Sequence, residues 1–263
     1  MSTIIYILLS IKNGSILIVN TQAFVLKVNP KGETSAILHC FSKDFGKIIL
    51  IAKGARSAKS PFKGLIEPFS LLNIHFNEKK DRPYQFLSQA EYLHPYTHLK
   101  RNPEAVLYGS IILEILYKEP EVEADILLFD LIRHVFNAME AGASPQIAHW
   151  YYILHFLEIE GLSLNTENCS QCDQKMTHGY FMPWQGNILC TDCHENITLS
   201  WELDREMLSL LRDLPKLSTE ELPAKINGNF DKDMINRILW NTLATRFDTC
   251  KKLKSVEVLR KIL

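Results

Sequence analysis

Apolar and polar residues alternate through the first third of the chain in short runs, each cut off by a cluster of turn-forming residues. Between Ala23 and Tyr92 this period of two predicts strands at 23–28, 34–41, 47–53, 67–76 and 84–92, with Asn29-Pro30-Lys31-Gly32 and Lys43-Asp44-Phe45-Gly46 among the breaks. Five short strands within about 70 residues predict a small closed barrel of the OB-fold kind, because closure removes the open edges that so short a sheet would otherwise expose.

After His94-Pro95 the period lengthens. Residues 103–118, 124–141 and 145–160 carry apolar positions at helical spacing, as in Ile111, Ile112, Ile115 and Leu116, or Ile126, Leu127, Phe129 and Leu131. Faces this broad are expected to be buried in one bundle. The third helix has Ser144 as its N-cap, Pro145 in its first turn and Gly161 as its stop. Helical periodicity returns at 203–214 and 232–249, and the chain ends on the basic stretches Lys251-Lys252-Leu253-Lys254 and Arg260-Lys261. There is no internal repeat and no low-complexity linker.

Between the helical stretches lie Cys169-Ser170-Gln171-Cys172 and Cys190-Thr191-Asp192-Cys193, two CxxC pairs separated by 17 residues. That spacing lets a chain wrap four thiolates around one zinc ion, with residues 180–189 forming strand, turn and strand between the knuckles. Four cysteines fill the coordination sphere and leave no position for an activated water, so the expected zinc, one per chain, is structural. His178 and His194 are then bystanders. Two disulfides would need an oxidising compartment, whereas Cys40 and Cys250 in apolar or helical stretches fit a reduced one. A thioredoxin-like site would place CxxC at the end of a strand in a βαβ unit, which neither pair does. A zinc deaminase would need H-x-E with P-C-x-x-C, but there is no H-x-E, and Asn168 and Leu189 stand where the proline belongs.

Composition fits two or three modules with a substantial core: 263 residues, 46% hydrophobic, 22% charged and a net charge of −1. The apolar run from Ile4 to Ile11 has no basic residue before it, is too short to span a bilayer and is followed by no small-residue cleavage site, so neither a targeting signal nor a membrane span is expected. The small net charge conceals a basic segment. Lys43, Lys47, Lys53, Arg56, Lys59 and Lys63 face the single acid Asp44, and Gly54-Ala55-Arg56-Ser57-Ala58-Lys59-Ser60 reads as a mobile loop on which a phosphate backbone could settle. In an OB-fold, nucleic acid crosses the barrel between the loop joining its first two strands and the loop joining its fourth and fifth. Here the first of these carries Lys31 and the second carries Lys79, Lys80 and Arg82. The candidate DNA-binding residues are therefore Lys47, Lys53, Arg56, Lys59, Lys63, Lys79, Lys80 and Arg82. Phe24, Phe62, Phe76, Tyr84 and Phe86 could supply rings for stacking on bases, with Phe62, between Lys59 and Lys63, the first choice.

Gly32-Glu33, Gly46-Lys47-Ile48, Ala52-Lys53-Gly54-Ala55-Arg56 with Lys59-Ser60, then Pro68-Phe69 and a helical region holding CxxC…CxxC follow one another in an order that resembles the RecO family of bacterial recombination mediators. The resemblance runs from about residue 22 onward, by the order of these motifs. It implies an α+β fold: an OB-fold DNA-binding domain at 22–93, then a helical domain at 94–263 with an inserted zinc ribbon at 165–197. Residues 1–21 are left as an extension of unassigned role. It further implies a non-enzymatic cytoplasmic protein that works at the bacterial nucleoid in DNA repair. Such a protein binds single- and double-stranded DNA, anneals strands coated with single-strand binding protein, engages that protein's acidic C-terminal tail through the helical domain, and works with RecR to load RecA. The alternative is a zinc-ribbon transcription or translation factor whose helices form a docking surface.

Overall fold

In the computed structural model, which describes residues 7–9, 16–79, 82–119, 123–195, 199–218, 221–222 and 230–262, the strands at the start of the chain close into a ring. Closure follows because one strand is long enough to pair on both sides. After the short edge strand β1 (Ile7–Leu9) comes β2 (Ile16–Lys31), followed by β3 (Ser35–Ser42), β4 (Gly46–Ala52), β5 (Leu71–Glu78) and β6 (Gln85–His94). The first half of β2 pairs with β5, from Leu17↔Glu78 to Phe24↔Leu71, and its second half pairs with β3, out to Lys31↔Ser35. Strand β3 pairs with β4, β4 runs parallel to the start of β6, and β6 returns to β5. The order β2-β3-β4-β6-β5 and back to β2 is that of an OB-fold barrel, as expected.

Alternation puts Val19, Val25, Leu38, Cys40, Leu50, Leu72, Ile74 and Phe76 inside the barrel. A bulge between Val25 and Lys27 lets β2 bend from one partner strand to the other. The strand starts at Ile16 rather than Ala23, because Ile16-Leu17-Ile18-Val19 is continuously apolar and lacks the alternation from which strands were read in the sequence. The other predicted strands differ from the observed ones by a few residues at their ends. The link between β4 and β5 is a succession of tight turns, with Ser57 N–H donating to Gly54, Ser60 to Ser57, Lys63 to Ser60 and Leu65 to Phe62. Ala55 and Phe62 dip from these turns into the barrel core, so the segment is anchored rather than a free loop.

The chain divides into two compact units, Met1–Arg101 with Leu113–Phe129, and Asn102–Ile112 with Asp130–Leu263. Helices α1 (Thr97–Arg101), α2 (Pro103–Lys118) and α3 (Ile126–Glu140) follow the barrel strands. The end of α2 and the start of α3 belong to the barrel unit, where the Phe129 ring lies 5.2 Å from Phe24 and 6.1 Å from Phe41.

The second unit is built around α4 (Pro145–Ile159), which is buried on nearly all sides, as its unbroken run of apolar and aromatic residues requires. Ser144 caps its first turn by accepting from Ile147 N–H, and Gly161, with φ of +68°, ends it. The Trp150 indole donates to Asn236 Oδ1 at 2.7 Å on α7 (Lys232–Arg246). Between these two helices come the ribbon strands β7 (Gly179–Met182) and β8 (Asn187–Leu189), the single-turn α5 (Thr191–His194), a third ribbon strand β9 (Trp201–Leu203), and α6 (Arg205–Asp213). The basic end of the chain forms a last helix, α8 (Lys254–Ile262), buried through Val256 and Leu259. Among the described residues no helix is long and apolar enough to cross a membrane.

Candidate functional site

Three loops meet at the end of the barrel where β2 and β4 finish and β6 begins. Arg56, just after β4, donates its backbone N–H to Thr34 O at 2.7 Å and its Nη1 to Gly32 O at 3.1 Å, tying the third loop to the first. Lys31, at the end of β2, holds its ammonium 5.3 Å from the centre of the Tyr84 ring, which ties the first loop to the segment between β5 and β6. Lys53 stands 4.5 Å over Phe86, and Arg82 lies 5.6 Å from the same ring. Gln85 pins that last segment by accepting from Lys79 N–H and donating to Lys79 O, both at 2.9 Å.

Of the candidate DNA-binding residues, Lys53, Arg56 and Arg82 are thus gathered at one end, with Lys31 added to them. Among the described residues none of these four cations is paired with a carboxylate, so their charge stays available to an anion. Lys59 and Lys63 are exposed on the turns that follow, and Lys79 is exposed at the end of β5. Lys80 lies outside the described residues.

Lys47 is placed differently. It sits at the start of β4, at the far end of that strand from Lys53, and its Nζ donates to the carbonyl oxygens of Tyr117 and Glu119 where α2 ends. Burial holds this ammonium below the ordinary lysine range, with the Glu119 carboxylate pulling the other way. Phe62 is also placed differently: 5% exposed, it lies with Phe76 in the barrel core, while Phe24 is buried against Phe129, so none of these three rings is exposed to a ligand. Tyr84, 37% exposed, and the half-buried Phe86 are the rings that remain beside the cations.

The four cysteines come together in the second unit, with their sulfurs all within 4.8 Å of one another and, among the described residues, no histidine or carboxylate in the group. Cys172 Sγ and Cys190 Sγ are 3.7 Å apart, close to the edge of a tetrahedron with zinc–sulfur bonds of about 2.3 Å and far too long for a disulfide. Asp173 turns the first knuckle with a φ of +60°, its N–H donating to Cys169 O, and Cys190 N–H donates to Cys169 Sγ at 3.2 Å. Burial works to raise the Cys169 thiol, but hydrogen bonds from the backbone of Cys172, Cys190 and Gln171 outweigh it and hold its pKa at about 6. The hydrogen bond to Cys172, then burial and the other two sulfurs, push Cys193 up to about 12. One thiolate is welcome here and four are not, unless a cation joins them; the donor set fits a structural zinc. His178 and His194 each stack on Tyr180, with ring centres 5.5 and 3.8 Å away.

Two arginines that the sequence did not single out hold the ribbon. Arg212 of α6 donates to the carbonyl oxygens of Thr166 and Met176, and Arg246 of α7 donates to Gly186 O. Their targets are backbone atoms far away in sequence, so no residue pattern announces them. A further cavity of about 590 Å³ opens between β9, α7 and α8. It is lined by Trp201 and Trp240, each with a guanidinium over its ring, Arg237 at 4.6 Å and Arg260 at 5.3 Å.

Residues 16–96 match the family described as Recombination protein O N terminal, and residues 100–229 match Recombination protein O C terminal. The chain is 26% identical over 236 residues to a DNA repair protein RecO of Caldanaerobacter subterraneus subsp. tengcongensis, covering 89% of this chain and 95% of that one. It is 25% identical over 249 residues to the one of Alkaliphilus metalliredigens, covering 94% and 100%. With the protein of Thermodesulfovibrio yellowstonii it shares 28% over 235 residues, covering 83% and 91%. The barrel, the helical unit and the two matched segments between them take in most of the chain, which belongs to the RecO family of DNA repair proteins.

Proposed function

We propose that this chain is a non-enzymatic mediator of recombinational repair that binds single- and double-stranded DNA and anneals strands coated with single-strand binding protein. With RecR, it helps load RecA. The observation that carries this reading is the meeting of three loops at one barrel end, where Lys31, Lys53, Arg56 and Arg82 stand without carboxylate partners among the described residues. Lys79, on the segment between β5 and β6, adds a further exposed cation to this end, and Lys59 and Lys63 stand exposed on the turns after β4. A surface that neutralises the phosphates of two strands lowers their mutual repulsion without reading sequence, and this is the physical requirement of annealing. A full set of four thiolates makes the zinc a stabiliser of the helical unit. A ribbon-based transcription or translation factor is disfavoured by membership in a repair family.

The cavity beside Trp201 and Trp240 supports the partner part of the reading. The acidic tail of single-strand binding protein would find Arg237 and Arg260 for its carboxylates and two indoles for its apolar side chains. The decisive experiment mixes complementary oligonucleotides precoated with single-strand binding protein and follows annealing with and without the purified chain. Acceleration that disappears when the acidic tail is deleted supports the whole proposal, while no acceleration on coated or bare strands overturns it.

A further inference from the structure

At the basic end of the barrel the cations are held by rings instead of acids. Tyr84 and Phe86 meet edge to face at 5.9 Å and 88°, and Lys31, Lys53 and Arg82 lie 5.3, 4.5 and 5.6 Å from one or other ring centre. Tyr84 is 37% exposed, at the mouth of the segment between β5 and β6. An exposed cation resting on a ring is weakly held, and both lysines have long flexible stems. A nucleic-acid strand offers each of these groups a better partner: phosphate for the cation, and the face of an unstacked base for the ring.

We infer that Tyr84, supported by Phe86, is the base-stacking element of the DNA site and makes that site favour single strands over duplex. The inference rests on the proposed DNA binding at this barrel end and adds to it the chemical class of ligand preferred there. On binding, Lys31 and Lys53 swing from the rings to the backbone, and a base takes the vacated face of Tyr84. A duplex can satisfy the cations in the same way, but its bases are already stacked on one another and cannot cover the ring. The rings thus hold the cations at the barrel end in the free protein and discriminate between strands in the complex.

The test is equilibrium binding of the full chain to three probes of equal length: a single strand, the same sugar-phosphate backbone with abasic positions, and a duplex. Tyr84→Leu should weaken single-strand binding on the order of tenfold, cost the abasic and duplex probes much less, and leave the salt dependence of single-strand binding at its wild-type slope. Tyr84→Trp should retain the preference. Phe86→Leu is a second probe, with thermal unfolding as its control because Phe86 is half-buried. Equal losses on all three probes would mean that the ring only positions cations, and wild-type affinity of Tyr84→Leu for the single strand would mean that no base rests there; either result overturns the inference. If the wild-type chain bound none of the probes, the DNA-binding reading itself would fall, which is a different outcome from loss of discrimination.

Discussion

Arg246 reaches from α7 into the ribbon and donates from Nη2 to the carbonyl oxygen of Gly186 at 2.9 Å, at the turn that joins β7 to β8. Burial lowers the pKa of this guanidinium, and its Nε is buried without a partner among the described residues, so a charged donor is held in a poor environment for one backbone oxygen. Gly186 itself has a φ of +66°, and a Cβ built on it would lie 3.2 Å from Thr245 Oγ1 of the same helix. The turn and the helix are therefore fitted to each other from both sides.

Breaking this fit should loosen the ribbon. Arg246→Met removes a charge-assisted hydrogen bond and leaves the Gly186 carbonyl in search of water, at an expected cost of about 1–3 kcal/mol. Gly186→Ala should cost a similar amount through its left-handed backbone and its contact with Thr245. All four tryptophans, Trp150, Trp184, Trp201 and Trp240, lie in the helical unit, so tryptophan fluorescence in a denaturant titration reads this unit alone. An unchanged midpoint in both variants would show that the turn is not held from α7.

The four cysteines that could hold a zinc ion lie in the same unit. Elemental analysis should find about one zinc per chain by the count of four thiolates. A strong chelator, or Cys169→Ser, should move the tryptophan transition to lower denaturant because the free energy of metal binding is part of the folding free energy. DNA affinity and its salt dependence should change little, since the cations proposed to meet DNA belong to the other unit. Full zinc occupancy after replacement of all four cysteines would place the metal elsewhere.

The basic residues should separate into two groups when DNA binding is followed against salt. Loss of a phosphate contact lowers the logarithmic salt slope for single strands by about 0.7. Lys53→Met, Arg56→Met and Arg82→Met should each show that fall together with weaker binding. Lys47→Met should leave the slope alone and instead destabilise the barrel unit, because its ammonium closes the end of α2. A lowered slope for Lys47→Met with unchanged slopes for the other three would move the DNA site to the opposite end of β4.

The barrel and the cysteine knuckles were legible in the sequence because both depend on local pattern: alternation for the strands and fixed spacing for the ligands. Strand β2 was shortened at its start because Ile16 to Val19 shows no alternation, and the strand status of that segment comes from pairing with β5 more than fifty positions later, as in Val19↔Phe76. Lys47 and Phe62 show the other limit. Each sits in a basic run whose composition suggests an anion, yet one caps a helix brought in from far along the chain and the other fills the core beneath a row of turns. The clasping arginines have carbonyl oxygens as partners, which carry no residue signature at all.

His149 gives the helical unit a pH dependence of known sign. It is fully buried on α4, beside the Tyr108 ring, and the Trp240 indole donates to its Nε2 at 3.3 Å, so the imidazole must be neutral with its proton on Nδ1. Burial pushes its pKa down to about 3, against about 6.5 in an unfolded chain. Between these values the unfolded state binds a proton that the folded state refuses, because protonated Nε2 would face the indole N–H donor to donor. Stability from this residue is therefore complete above about pH 6.5 and is lost as the pH falls toward 3, with a slope approaching about 1.4 kcal/mol per pH unit. His149→Gln, which can still accept from Trp240 but does not titrate, should flatten the acid side of the stability curve relative to wild type when the tryptophan transition is measured from pH 7 to pH 4. A variant that kept the wild-type slope would show that His149 takes up its proton in the folded protein and that another group sets the acid limit.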